Sequence, residues 1–344
     1  MSEEFERHAL PDAYVPVRGT LIDIVLRQFA HTWDFQREYW QYYLWELPTH
    51  IKVALINYLG VYHPSAPSLA DLQILLRPPV DEAAPEGEVA PSAGSLNEDF
   101  HYLDLTGCLG RSLRLSGLSS MLFAAPEGEA GGLQESWDAP EIGTGVPMPL
   151  LPNLTHLSLA IDPHYSAFAS WRHLLSFVAR MTTLTHLSLA YWPEPTLTPN
   201  AKFASVVTAQ GHTVQYGGTG PYSHSLDGDW SEAISVLRRL SKCLYRLEYL
   251  DLTGCTDWCP ALFAEADHDT LDWVGNWGKI KTLLLFPGHS IPDETLPTAR
   301  RHYRTAIENA EKVEKHIRSR RAGRGRFITV STDVLPEGFS IGSP

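Results

Sequence analysis

A chain of 344 residues, 44% of them hydrophobic, is long enough to bury a sizeable core, as one elongated domain or two compact ones. Its formal net charge of −13 argues against wholesale nucleic-acid binding, and Cys108, Cys243, Cys255 and Cys259 are too few for a disulfide scaffold. The opening MSEEFERH is acidic where a targeting leader would be basic, and no run approaches the roughly eighteen apolar residues of a membrane span, so an intracellular protein of cytoplasm or nucleus without a transmembrane segment is expected.

Residues 1–80 read as a helical N-terminal cap. Leu21, Ile24, Val25, Phe29 and Trp33, then Tyr39, Trp40, Tyr43 and Leu44, recur at helical spacing with a wide aromatic face. Pro48 interrupts this period. Ile51, Ala54, Leu55, Tyr58 and Leu59 restart it, with Gly60 as the expected stop, and Ser68 is the expected cap of a short helix through Leu69, Leu72 and Leu75. Residues 81–99 are an acidic linker, rich in Glu, Pro and Ala and lacking Lys and Arg.

Residues 100–290 repeat a pattern. Leu-Asp-Leu-Thr-Gly-Cys occurs at Leu103–Cys108 and again at Leu250–Cys255, and weaker copies centre on Leu157/Leu159, Leu187/Leu189 and Leu283/Leu285. Successive copies lie 54, 30, 63 and 33 residues apart, measured from Leu103 through Leu157, Leu187 and Leu250 to Leu283. The long intervals hold inserted loops at 125–148 and 193–229, and Leu113-Arg114-Leu115 reads as a degenerate strand. Trp171, Leu174, Leu175 and Val178, and likewise Ala233, Val236, Leu237 and Leu240, have helical spacing, with Asp229 or Ser231 as cap of the second helix. Residues 291–325 form a C-terminal capping helix with the stripe Tyr303, Ile307, Ala310, Val313 and Ile317. Residues 326–344 form a tail, in which FITVSTDV supplies one more strand.

Spacing and the two cysteines resemble the leucine-rich repeat of the ribonuclease-inhibitor-like type. The resemblance implies an α/β solenoid of parallel strands and helices, with buried leucines and an open concave face made by the alternate strand residues. Those residues are Tyr102, His156, His186, Tyr249 and Thr282 in one column and Asp104, Ser158, Ser188, Asp251 and Leu284 in the next. Partner binding is expected at Tyr102, Asp104, His156, Ser158, His186, Ser188, Tyr249 and Asp251. Asp162, Trp192 and Gly288 replace the repeat cysteine in the other three units.

Other motifs point elsewhere. Leu47-Pro48-Thr49-His50-Ile51, with Leu55 and Leu59, resembles the opening of an F-box, which implies a ubiquitin-ligase adaptor as partner. His224 and Asp229 fit the HxxxxD motif of tafazzin-like acyltransferases, in which His is the general base on an acceptor hydroxyl. Arg318, Arg320, Arg321, Arg324 and Arg326 form a basic cluster that suits a nuclear signal or nucleic-acid contact, or complements the helix dipole by about 0.3–1 kcal/mol. The paired His156 and His186 lack a tetrahedral ligand set, as does Cys255 with Cys259, so no metal is expected. The reading is a non-enzymatic scaffold or adaptor with no cofactor, binding a protein on the concave face. An F-box substrate receptor and an HxxxxD acyltransferase are its alternatives.

Overall fold

In the computed structural model, the described residues are 8–79, 95–123, 149–197, 205–207, 213–215, 230–265, 270–292, 296–336 and 339. The chain divides into two units, Asp12–Thr155 and a larger one of Met1–Pro11 with His156–Pro344. The expected loop at 125–148 and most of the expected linker at 81–99 lie outside the described residues, as does most of 193–229.

The smaller unit contains α1 (Leu21–His31), α2 (Trp33–Trp40), a 3-10 turn at Leu44–Glu46, α3 (Thr49–Tyr62), α4 (Leu69–Leu76), β1 (Tyr102–Asp104) and α5 (Leu115–Leu122). The Thr20 hydroxyl accepts from the Asp23 amide to open α1, and Ser68 with Asp71 forms a reciprocal capping box on α4. Gly60 is not the stop expected of it, because α3 continues to Tyr62. A Cβ there would come within 2.8 Å of the Thr106 carbonyl oxygen and 3.1 Å of the Cys108 sulfur, so the glycine permits α3 to lie against the turn after β1. The smaller unit thus joins the helices read as a cap to the first strand read as a repeat. The degenerate strand at Leu113–Leu115 is corrected. Leu113 makes one bridge to Leu109, and Leu115 starts α5, whose buried Leu115, Leu118, Met121 and Leu122 follow the helical period.

In the larger unit the order is β2 (His156–Ser158), α6 (Trp171–Val178), β3 (His186–Ser188), β4 (Ser205–Val207), β5 (Thr213–Gln215), α7 (Ser231–Cys243), β6 (Tyr249–Asp251), β7 (Thr282–Leu284), α8 (Pro297–Arg321) and β8 (Thr329–Ser331). Ser231 begins α7 without capping it, and Asp229 lies outside the described residues. β4 and β5 form an antiparallel pair. The others make a parallel sheet in the order β2-β3-β6-β7-β8, so the fold is α/β. The two LTHLSLA segments pair in parallel and in register, Leu157 with Leu187, and the row continues through Leu250 and Leu283 to Val330. Backbone bonds carry this ladder past the strands, with the Leu189, Tyr191, Leu252 and Gly254 amides donating to Asp251, Thr253, Leu284 and Phe286.

The register decides the core. Leu157, Leu187, Leu250 and Leu283 are fully buried on one face of the sheet. Beside the ladder, Trp171 meets Trp192 and Trp258 edge-on at 5.2 and 5.9 Å. Each indole N–H donates to a carbonyl, of Pro193, Leu159 and Trp192 respectively, which lets three amphipathic rings be buried without an orphaned donor. The stripe Tyr303, Ile307, Ala310, Val313 and Ile317 on α8 is buried throughout. No helix among the described residues is long and apolar enough to cross a membrane.

Two substitutions test this packing. Leu250→Ala leaves a cavity under the central strand and should cost about 2–5 kcal/mol in urea unfolding. Gly60→Ala should also destabilise, although helix propensity alone favours Ala by about 0.8–1 kcal/mol. A stabilised Gly60→Ala protein would show that α3 does not approach the Thr106 carbonyl closely.

Candidate functional site

The strand face read as open is largely closed. His156 is 8% exposed, Tyr249 7%, Ser158 1%, Ser188 2% and Asp251 1%, while Tyr102, Asp104 and His186 are half-buried. In the larger unit the in-register column does form a ladder. The His156 and His186 rings stack at 3.9 Å and 13°, and Tyr249 follows at 5.6 Å and 27°. Burial, with Asp251 nearby, raises the Tyr249 phenol, so it stays neutral. His8 sets its ring edge against Phe286 at 4.6 Å, and Leu10 is buried. The exposure is therefore lower than alternation suggests, because rings stacked from strand to strand cover one another. Tyr102 and Asp104 belong to the smaller unit.

The duplicated Leu-Asp-Leu-Thr-Gly-Cys phrase is a turn device. Asp251 Oδ1 accepts from the Thr253 amide at 2.9 Å and the Thr253 hydroxyl at 2.6 Å, and Oδ2 accepts from Ser188 Oγ at 2.8 Å. Asp104 repeats this with Thr106, at 3.0 and 2.6 Å, and its other oxygen accepts from Asn57 Nδ2 at 2.5 Å. The next residues, Gly107 and Gly254, have φ of +72° and +75°, the left-handed turn that glycine adopts without strain. The cysteines then close the turn: Cys255 Sγ donates toward the Leu189 carbonyl at 3.4 Å and Cys108 Sγ toward Thr106 at 3.7 Å. Burial pushes Cys255 well up and Cys259 up to about 12, so neither is a reactive thiolate.

The basic cluster is not one surface. Arg321 is 4% exposed, and its guanidinium donates to the carbonyls of Trp273, Ile280, Trp277 and Arg326 at 2.9, 2.8, 2.6 and 3.2 Å. It organises the end of α8 from inside. Arg318 pairs with Glu314 at 2.7 Å and Arg320 with Glu265, while Arg324 and Arg326 are exposed. His224 and Asp229 lie outside the described residues. Among the described residues no group of three or more His, Cys, Asp and Glu side chains could hold a metal ion.

The surface with the chemistry of a binding site lies on the N-terminal helices, where the sequence reading expected a cap. On α1 and α2 and the turn after them, Leu21, Ile22, Ile24, Val25, Phe35, Tyr39, Trp40, Tyr42 and Tyr43 are each between 43% and 76% exposed. A groove of about 220 Å³ opens among Val25, Leu26, Phe29, Trp40, Tyr43, Leu44, Leu47, Ile51 and Leu55. Trp40 and Tyr43, which line it, end a series of ring contacts, with Phe35 on Tyr39 at 6.0 Å, Tyr39 on Trp40 at 5.2 Å and Trp40 on Tyr43 at 6.2 Å. The signal was present in the sequence: eleven residues from Trp33 to Tyr43 hold six aromatics, more than one buried stripe of so short a helix can use.

α1 is held in place by Asp23, a buried carboxylate that accepts from the Gly19 amide at 2.7 Å, from the Tyr58 hydroxyl on α3 at 2.7 Å and from Arg27 at 3.1 Å. These bonds, the Gly19 amide first, outweigh burial and lower its pKa to about 2. A second carboxylate, Asp71, is held below the usual range although burial opposes this, because the Ser68 hydroxyl and amide and Arg37 bond to it. Comparison with known proteins finds no matching family model, no matching curated protein and no matching solved structure.

A carboxylate lowered in the folded state stabilises above its unfolded pKa, and that stability is lost as pH falls through the folded value. The seating of α1 should therefore weaken between about pH 5 and pH 2. Thermal unfolding followed across that window should show a smaller acid slope in Asp23→Asn, which should already be less stable at pH 7. Equal slopes in both proteins would remove Asp23 from this role.

Proposed function

We propose that this protein is a non-enzymatic interaction module of the leucine-rich-repeat type, and that it recognises a protein partner through the aromatic groove of α1–α3. The repeat reading is supported by the in-register leucine row and by two Asp-Leu-Thr-Gly-Cys turns with the same Asp–Thr hydrogen bonds, with a helix between most neighbouring strands. One observation carries the location of the site: Val25, Trp40 and Tyr43 stand 43–60% exposed where they line a groove of the smaller unit, whereas the strand column read as the binding face is mostly buried. Exposed Trp and Tyr supply contact area at small conformational cost, and they are the residue types that dominate interface energies.

A second reading draws on the same groove. Leu47, Ile51 and Leu55, three residues of the F-box-like segment, line it. An adaptor of a ubiquitin ligase would be the partner in that case. Against this, Val53, Ala54, Leu55, Ile56 and Leu59 on α3 are at most 6% exposed, as a cap requires. The acyltransferase alternative draws no support from any described residue.

The test is quantitative affinity capture with full-length bait, wild type against Val25→Asp and Tyr43→Ala. Both residues are half or more exposed, so the melting temperature should hold. Partner recovery should fall by at least about tenfold in each, a loss of roughly 1.4 kcal/mol. Undiminished recovery from both variants would place recognition elsewhere, and ligase subunits among the captured proteins would select the second reading. In parallel, His224→Ala should leave cellular lipid composition unchanged.

A further inference from the structure

We infer that the larger unit binds single-stranded nucleic acid at one rim of its sheet, with phosphates on Lys279, Arg324 and Arg326 and bases against Tyr245 and Phe327. The inference is independent of the groove and starts from topology. β3, β6, β7 and β8 are parallel neighbours, so the segments that lead into them arrive side by side at one rim, about 4.8 Å from strand to strand. Backbone bonds join them there. The Glu248 amide donates to the Thr185 carbonyl, the Lys281 amide to Glu248 and the Thr329 amide to Lys281, each at 2.7 Å.

Charge is divided between the two ends of these strands. The ten residues before each strand (176–185, 239–248, 272–281 and 319–328) hold ten Lys and Arg against two acids, Glu248 and Asp272. The ten residues after each hold six acids and no Lys or Arg. Neither acid of the basic rim is idle. Lys281 bonds Glu248, whose charged form Arg326 also favours, and Asp272 accepts from the amides of Val274, Gly275 and Asn276. Two more acids reach in, Glu314 to Arg318 and Glu265 to Arg320; with these and Arg318 counted, cations still lead by eleven to four. A chain of net charge −13 thus keeps one local surface that attracts polyanions. Arg246, Lys279, Arg324 and Arg326 are exposed and lie outside every helix, so complementing a helix terminus does not account for them. From inside, Arg321 donates to the carbonyls of Ile280 at 2.8 Å and Arg326 at 3.2 Å, which holds the loop bearing Arg324 and Arg326 beside the segment leading into β7.

The aromatic residues choose among polyanions. Tyr245 is 46% exposed and Phe327 75%, and each has a cation by its ring, Lys279 Nζ at 5.7 Å and the Arg318 guanidinium at 5.8 Å. Unpaired bases stack on such rings while their phosphates meet the cations, whereas a duplex keeps its bases stacked on one another and uses only the charge. A run of carboxylates offers the rings nothing flat. A bilayer needs more buried apolar area than Phe327 and half of Tyr245 supply.

The experiment uses the full-length protein and fluorescence anisotropy over a series of salt concentrations. The probes are a labelled oligothymidylate of about twenty nucleotides, longer than one expected site, a duplex of the same length and a polyglutamate peptide. The oligothymidylate should bind at least about tenfold more tightly than either control, and its affinity should fall steeply with salt. The double variant Arg324→Glu, Arg326→Glu should weaken it by at least about tenfold and flatten the salt dependence. Phe327→Ala should weaken it by roughly tenfold while leaving the salt dependence, the duplex affinity and the melting temperature unchanged, as loss of one stacking partner does.

Absence of oligothymidylate binding at low salt would overturn the inference. So would a duplex bound as tightly as the single strand with Phe327→Ala silent, which would reduce the effect to bulk charge. Tighter binding of polyglutamate would make the partner an acidic protein instead. Flotation with phosphatidylserine vesicles that is lost in Phe327→Ala, without oligothymidylate binding, would make the rim a membrane surface.

Discussion

Parallel, in-register pairing of very short strands is the constraint from which most of the larger unit follows. With only three residues per strand, every row of the sheet is a column of equivalent positions. One side stacks leucine on leucine. The other stacks His156 on His186 on Tyr249, then Ser158 beside Ser188 beside Asp251. A shift of one residue would turn the leucine row outward, so hydrophobic burial holds the register firmly. Such short strands must still turn the chain toward the next helix at once. In the two best-preserved copies the Asp carboxylate ties down the Thr amide and hydroxyl, and a left-handed glycine follows. Where the motif is lost, Tyr191 takes the same left-handed backbone at φ +62°, with its hydroxyl donating to the Gly288 carbonyl at 2.6 Å. An aromatic side chain and a long-range hydrogen bond there hold a conformation that glycine adopts freely.

Buried charge does structural work at both ends of the chain. Arg321 satisfies four carbonyls that the irregular segment after Leu271 and the end of α8 would otherwise leave short of donors. The guanidinium suits this place, because its donors fan out in a plane and can reach several carbonyls from one side. In the smaller unit Asp23 and Asp71 play the complementary part, accepting from amides, hydroxyls and arginines. Removing one partner from any of these clusters leaves a charge in a poorly solvated place, so they hold the helices in position rather than serve as docking points.

Surface apolarity is then distributed unevenly. The strand face, rich in His, Tyr, Ser and Asp, is closed, while the N-terminal helices keep Trp, Tyr, Phe, Leu and Ile in solvent. In a folded chain single exposed apolar residues are common, but a groove lined by nine apolar and aromatic side chains, with Val25, Trp40 and Tyr43 exposed among them, is a place where water is easily displaced. Asp23 and Tyr58 tie α1 to α3, two of the elements whose side chains line the groove.

Periodicity alone located most of the helices, the repeated strands and even the last strand at Thr329–Ser331, because burial of leucine at period two and of helix stripes at three and four is a local demand. It also marked Ser68 as a cap, since capping involves only the next few residues. What needed tertiary structure were the facts set by distant chain. Gly60 read as a helix stop because nothing nearby in sequence announces the Thr106 carbonyl at its Cα. Leu113–Leu115 read as a strand because three alternating residues fit both periods until packing selects one. Arg321 read as part of a charged tail, although its carbonyl partners lie as far back as Trp273, 48 positions earlier. The alternate strand residues read as open because alternation tells which residues point away from the leucines, and only the folded chain decides whether anything covers them. By the same logic the aromatic run at 33–43 was visible from the start, but whether it was core or surface depended on how much of α3 and α4 remained to cover it.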